Sequence, residues 1–193
     1  MRHVCVFCGS NAGSSPVYAD AARALVDELA RRGMGLVYGG GRVGLMGVIA
    51  DAGLAAGIPV IGVIPESLLA LEVGHRGLSD LRVVRTMHER KALMAELADG
   101  FIALPGGYGT LDEFCEVLTW GQLGLHRKPC AALNVNRYFD PLIALLDHAV
   151  AERFLSRAHR RLVLMGGEPA PLIDAMLAYQ PIDTTKWIAE GDA

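Results

Sequence analysis

Charge of one sign, cysteine and long uncharged runs are all scarce in this sequence, and each shortage removes a class of function. Eighteen Lys and Arg against 21 Asp and Glu leave a formal charge of −3, which gives no electrostatic reason to bind a nucleic acid polymer. Arg31-Arg32 and Arg160-Arg161 are short basic spots that read as solvated helix ends. The four cysteines, Cys5, Cys8, Cys115 and Cys130, do not make a secreted disulfide scaffold in a chain that is 52% hydrophobic. Cys5-Val6-Phe7-Cys8 has a redox spacing, but it falls on an expected strand rather than at a helix start, which favours buried packing. His75 and His88 form no recognisable metal cluster and the other histidines are dispersed, so neither a metal nor a cofactor is expected. The N-terminus has no basic, apolar and small-residue series of the kind a signal peptide carries, so a cytoplasmic location is expected. Asp51 is the only formal charge from Val43 to Pro65. The glycines of that stretch and its break at Gly57-Ile58-Pro59 nevertheless suggest a buried helix followed by a central strand, not a membrane span.

What is present is alternation. The 193 residues suit one domain over 1–193. Strands are expected at Val4–Phe7, Gly35–Tyr38, Val60–Ile64, Leu81–Arg85, Phe101–Leu104, Cys130–Asn134 and Leu162–Met165. Helices are expected at Pro16–Arg32, from the glycine turn to Ala56, and at His88–Ala98, Leu111–Gln122 and Pro141–Leu155, with a last one after Pro169. Glu66–Asp80 reads as an irregular crossover or a cover over a cleft. Short apolar strands between helical patterns predict an α/β, Rossmann-like three-layer sandwich, with a mostly parallel sheet and helices on both faces.

Ligands of such sheets collect at the carboxyl ends of the strands. Three glycine-bearing turns follow expected strands: Gly9-Ser10-Asn11, Gly39-Gly40-Gly41 and Gly106-Gly107-Tyr108-Gly109-Thr110. Ser10, Gly40 and Gly41 are therefore candidate ligand contacts. In the third turn, Thr110-Leu111-Asp112-Glu113 fits a helix capping box, a purely structural reading. The glycines before it let a backbone approach a ligand closely, and amides at a helix start offer donors to phosphate or carboxylate. Thr86 and Glu89 fit a second capping box, but it puts Arg90 and Lys91 near the positive end of the helix, where a bound anion would offset the mismatch. Met87, at the start of the same helix, is a candidate ligand contact, although methionines more often fill apolar gaps. Trp120, with Phe114 and Leu118, belongs either to the core or to an interface.

Together "MHERKALM" at 87–94, "PGGYGTLDEF" at 105–114, "GGGRVGLMG" at 39–47 and "TWGQLG" at 119–124 resemble the LOG family of cytokinin-activating phosphoribohydrolases. The similarity spans roughly Val4 to Val135, with a compatible final strand and helix. Asp112 stands where the family often has Glu beside its motif Glu, which is retained as Glu113. The resemblance implies a homodimeric protein that hydrolyses the N-glycosidic bond of a nucleoside 5'-monophosphate, such as isopentenyladenosine monophosphate or AMP, to a free adenine-type base and ribose 5-phosphate. It also implies Arg90 and Glu113 as the catalytic pair. Glu72, Lys91, Gly107, Tyr108, Gly109, Thr110, Leu111, Asp112 and Thr119 match the family's substrate contacts.

In that chemistry a carboxylate stabilises positive character on the ribose and orients water. Helix-terminal placement is expected to favour the Glu113 anion. Arg90, whose intrinsic pKa is high, suits electrostatic holding better than proton donation. Two other readings stand beside this one. Gly39-x-Gly41-x-x-Gly44 satisfies a bare dinucleotide-binding pattern with Glu66 downstream, which would mean nicotinamide-linked redox chemistry. A noncatalytic nucleotide-binding protein is the other.

Overall fold

The computed structural model describes residues 1–71 and 74–182. Its strands are β1 (His3–Phe7), β2 (Gly35–Tyr38), β3 (Val60–Pro65), β4 (Asp80–Val84), β5 (Gly100–Ala103), β6 (Cys130–Leu133) and β7 (Val163–Gly166). The helices are α1 (Pro16–Arg31), α2 (Gly44–Ala55), α3 (Glu66–Ala70), α4 (Met87–Leu97), α5 (Tyr108–Gln122), α6 (Asp140–Ala151), α7 (Arg157–Arg160) and α8 (Pro169–Leu177). A 3-10 turn, Val135–Arg137, follows β6.

The strands form one seven-stranded sheet in the order β4-β3-β2-β1-β5-β6-β7, with every pairing parallel. Residues on β2, β3, β5 and β6 are buried throughout, as strands covered on both faces must be, while the edge strands β4 and β7 are half-buried. Side-chain alternation divides the interior in two. Val4, Val6, Leu36, Ile102 and Leu133 pack under α1, α2 and α8; Cys5, Phe7, Val37, Val63, Phe101 and Ala132 pack under α4, α5 and α6. Cys5 and Cys8 thus fall on opposite faces, both buried and free, so their spacing serves packing.

Local chemistry starts the helices. Ser15 accepts from Val17 N and Pro16 occupies the first turn of α1, which buries Ala22, Leu25, Val26 and Leu29 along one stripe. Thr86 accepts from Glu89 N at 3.1 Å to start α4, which is half of its expected capping box; the Glu89 carboxylate reaches back one residue farther and accepts from Arg85 N at 2.9 Å. Three expectations need correction. The crossover after β3 is not wholly irregular: it contains α3, and its later part is tied back to the second glycine turn by a Gly41–Gly74 bridge and by His75 N donating to Gly40 O at 2.9 Å. The basic spots are not simply solvated. Arg32 pairs with Glu28 and reaches Asp174 of α8 at 2.6 Å, and Arg160 pairs with Asp147 at 2.7 Å. The Thr110–Glu113 capping box does not form, because the chain has already turned at the glycines. The extended residue before α5 is Gly107, and Thr110 lies inside the first turn with no capping bond.

From β1 the chain steps outward to β4 on one side, then returns beside β1 as β5 and steps outward on the other. The reversal between β1 and β5 leaves a crevice at their carboxyl ends. The first and third glycine turns meet there.

Candidate active site

A cleft of about 350 Å³ occupies this switch point. Its walls are the β1 turn from Gly9 to Ser14, Tyr18 and Leu45 of the adjacent helices, Pro105 to Gly107 after β5, and Tyr138. The two turns are bonded directly, Gly9 N donating to Pro105 O at 3.1 Å. Gly106 has no room for a side chain: a Cβ there would sit 2.1 Å from Thr110 Oγ1 and 2.7 Å from Gly9 N. Gly107, Tyr108 and Gly109 are exposed, and the first N–H groups of the 15-residue α5 have no partner within their own helix, so this turn presents donors outward.

Thr110 and Glu113, three apart on α5, are both buried and share one face of that helix. Glu113 Oε1 lies 3.2 Å from Nη1 of Arg90, which projects from the second turn of α4; each residue is 8% exposed. Arg90 is further fixed by donating from Nε to Val63 O at 3.1 Å and from Nη2 to Gly39 O at 3.0 Å. Strand-end carbonyls of β2 and β3 and the Glu113 carboxylate therefore satisfy the guanidinium near the positive helix end without a bound anion. This also explains Gly39, where a Cβ would stand 1.8 Å from Arg90 Nη2. The glycine that begins the apparent dinucleotide pattern is needed for Arg90, and Gly41 of the same pattern is engaged by Gly74.

Glu113 departs from the expectation drawn from helix-terminal placement. It sits in the second turn and is desolvated, and burial raises its pKa above the ordinary carboxylate range, with Arg90 opposing the shift. The nearby Cys8 and Cys5 thiols are pushed up, first by burial and then by Glu113. Lys91, next to Arg90, points to other partners: Nζ is 3.1 Å from Asp112 Oδ2 and 3.0 Å from Glu116 Oε1. Burial works to lower its pKa, but the bonds to Glu116 and Asp112 outweigh it and raise the value, so Lys91 stays cationic.

The structure thus pairs Arg90 with Glu113 and Lys91 with Asp112, sets Thr110 on the Glu113 face of α5, and places Ser10 and Gly107 on the wall of the cleft, which Arg90, Lys91, Thr110, Asp112 and Glu113 do not themselves line. Gly40 and Gly41 are buried behind the 74–75 segment. Tyr108 is 93% exposed beside the glycine turn, Met87 is exposed at the first turn of α4, and Leu111 packs partly against the core. Thr119 lies about 9 Å farther along α5 than Glu113, and its hydroxyl donates to Cys115 O at 2.8 Å. Glu72 lies outside the described residues. Phe114 is wholly buried, and Leu118 and Trp120 pack partly against the same core. Among the described residues no group of three metal-ligating side chains occurs. Sequence reasoning missed Glu116 and Tyr138. Glu116 was accessible from its helical spacing to Asp112, whereas Tyr138 follows a different strand and carries no local signal.

Comparison with known proteins bears directly on this arrangement. A family model described as "Possible lysine decarboxylase" matches residues 46–176. The chain is 53% identical over 165 residues to the cytokinin riboside 5'-monophosphate phosphoribohydrolase of Rhodococcoides fascians, covering 85% of this chain and 83% of that one. It is 48% identical over 180 residues to the cytokinin riboside 5'-monophosphate phosphoribohydrolase LOG of Oryza sativa subsp. japonica, covering 93% and 74%. The chain belongs to the LOG family. The LOG-family fold is also shared with more distant proteins. The molybdenum cofactor binding protein of Rippkaea orientalis superposes with a TM-score of 0.70 at 21% identity, covering 92% of this chain and 96% of that one.

Proposed function

We propose that this LOG-family chain hydrolyses the N-glycosidic bond of cytokinin riboside 5'-monophosphates, such as isopentenyladenosine monophosphate, and also accepts AMP, releasing an adenine-type base and ribose 5-phosphate. The observation that carries the proposal is the buried Arg90–Glu113 pair beside an exposed glycine turn at the sheet's switch point. The close relatives named for this reaction support it.

In this reading the helix-start amides from Gly107 to Thr110 receive the phosphate and Glu113 faces the ribose. As the C1'–N bond breaks, its electron pair leaves with the base, which acquires a proton. Positive character on the sugar is stabilised by the Glu113 carboxylate, and water adds to C1' and loses a proton. Arg90 holds that carboxylate in place through its three contacts, and Lys91 fixes Asp112 and Glu116 on the adjoining surface. The enzyme works as a cytoplasmic homodimer, without a membrane or nucleic acid polymer as partner.

The decarboxylase description fits the residues poorly. A Schiff-base lysine must lose its proton, yet among the lysines of the described residues Lys91 is kept cationic by two carboxylates and Lys128 is engaged by the Ala95 carbonyl, Nζ donating to Ala95 O at 2.7 Å. Turnover in ¹⁸O-labelled water tests the hydrolytic assignment. Label in inorganic phosphate alone, with a nucleoside as the other product, would replace glycosidic cleavage with phosphate release; free base with ribose 5-phosphate and no label in inorganic phosphate is the expected result.

A further inference from the structure

Tyr138 contributes a wall of the cleft from a separate element of the fold. Its hydroxyl donates to Gly106 O at 2.5 Å, spanning from the turn after β6 to the glycine turn after β5. The ring also stands edge-on to Tyr18 at 6.3 Å and to Phe139 at 5.2 Å, contacts that a phenylalanine would make equally well. The hydroxyl is thus extra to packing.

The backbone that presents this ring is strained. Asn136 and Arg137, neither of them glycine, have φ of 49° and 60°, in the left-handed region. The surrounding turn is held firmly: Phe139 N donates to Asn134 Oδ1 at 2.7 Å, Asn134 Nδ2 donates to Asp140 Oδ1 at 2.8 Å, and the Phe139 side chain is buried. Strain of this kind persists only where neighbouring contacts enforce it, and here it delivers a hydroxyl to the phosphate turn.

Resting on the function proposed above, we infer that Tyr138 is a positioning residue for phosphate recognition. Gly106 C=O and Gly107 N–H belong to one trans peptide unit and point in opposite directions. Anchoring the carbonyl on Tyr138 aims the amide. The preceding carbonyl, Pro105 O, is anchored independently by Gly9 N, so consecutive peptides of the turn are held from two different elements. Without the hydroxyl, Gly106 and Gly107 regain the rotational freedom that glycine allows, and the cradle must be ordered anew each time phosphate binds.

Tyr138→Phe keeps the ring and removes the anchor. With isopentenyladenosine monophosphate as substrate, KM should rise by roughly two- to tenfold, the range of one net hydrogen bond. The inhibition constants of ribose 5-phosphate and inorganic phosphate should rise by a similar factor, while kcat at saturation stays at the wild-type value and the thermal midpoint falls by no more than a few degrees. Calorimetric binding of ribose 5-phosphate reads the same contrast without turnover, so it separates this inference from the assignment of the reaction. If wild type releases no base, the reaction assignment fails; if wild type and Tyr138→Phe bind ribose 5-phosphate equally, the positioning role fails. A folded variant with reduced kcat but unchanged KM and phosphate inhibition would likewise overturn it.

Discussion

Replacing Glu113 by Gln removes one negative charge from a desolvated site while nearly preserving volume. Arg90 keeps its bonds to Gly39 O and Val63 O, so the guanidinium has reason to stay in place. The loss then falls mainly on stabilisation of the developing ribose cation. A preorganised electrostatic contact of this kind is worth about 2.7–4 kcal/mol, so kcat should fall by about a hundred- to a thousandfold with KM changed by only a few fold. Stability should respond differently. Burial raises the Glu113 pKa above its unfolded value, so the contribution of this group to stability is fully present below the unfolded pKa and is lost as pH rises through the folded pKa. The stability of Glu113→Gln relative to wild type should accordingly improve from pH 4 to pH 8. The acid limb of kcat/KM in the wild type should lie above the ordinary carboxylate range and vanish from the residual activity of the variant. Steady-state kinetics across pH, together with urea unfolding at both ends, measure all of this. Wild-type turnover by a folded Glu113→Gln protein would refute the reasoning.

Arg90→Ala leaves the buried Glu113 without its cation, and urea unfolding at neutral pH should show a loss of about 3–5 kcal/mol. Any residual activity should have its acid limb at higher pH than wild type, because Arg90 opposes the upward shift of Glu113; a variant with unchanged stability and pH profile would contradict the pairing. Gly39→Ala should act on the same pair by direct collision with Arg90. A Cβ 1.8 Å from Nη2 must push the guanidinium aside, and kcat/KM should drop at least tenfold. Its melting midpoint should fall less than that of Arg90→Ala, since the flexible end of Arg90 can yield. Unchanged kinetics would show that the position of Nη2 does not matter to catalysis.

Most of the sheet could be read from the chain because strands such as Val60–Pro65 are buried on both faces and write that fact as continuous apolar sequence. The glycine turns were legible for the same local reason, and the first and third of them do meet at the carboxyl ends of β1 and β5. What the sequence concealed was pairing across distance. Arg90 and Lys91 look like adjacent cations whose place at a helix start a bound anion would offset, yet one is locked to Gly39, Val63 and Glu113 and the other to Asp112 and Glu116. The Thr110–Glu113 pattern matched a cap in spelling, but glycines upstream had already started the helix. Glu113 was misjudged in turn, since proximity to a helix start is visible in sequence and desolvation is not. Tyr138 shows the limit most plainly. Its role depends on β5 and β6 being neighbours, which places Tyr138 against Gly106.

The most direct measurement of the central claim is chromatographic detection of free base from isopentenyladenosine monophosphate and AMP, with the corresponding nucleosides run in parallel. Release of base from the monophosphates and not from the nucleosides is the predicted result, because in the proposed function the glycine turn at Gly107 contributes binding through the phosphate. The absence of base from every substrate in folded protein, or equal release from nucleosides, would contradict the account.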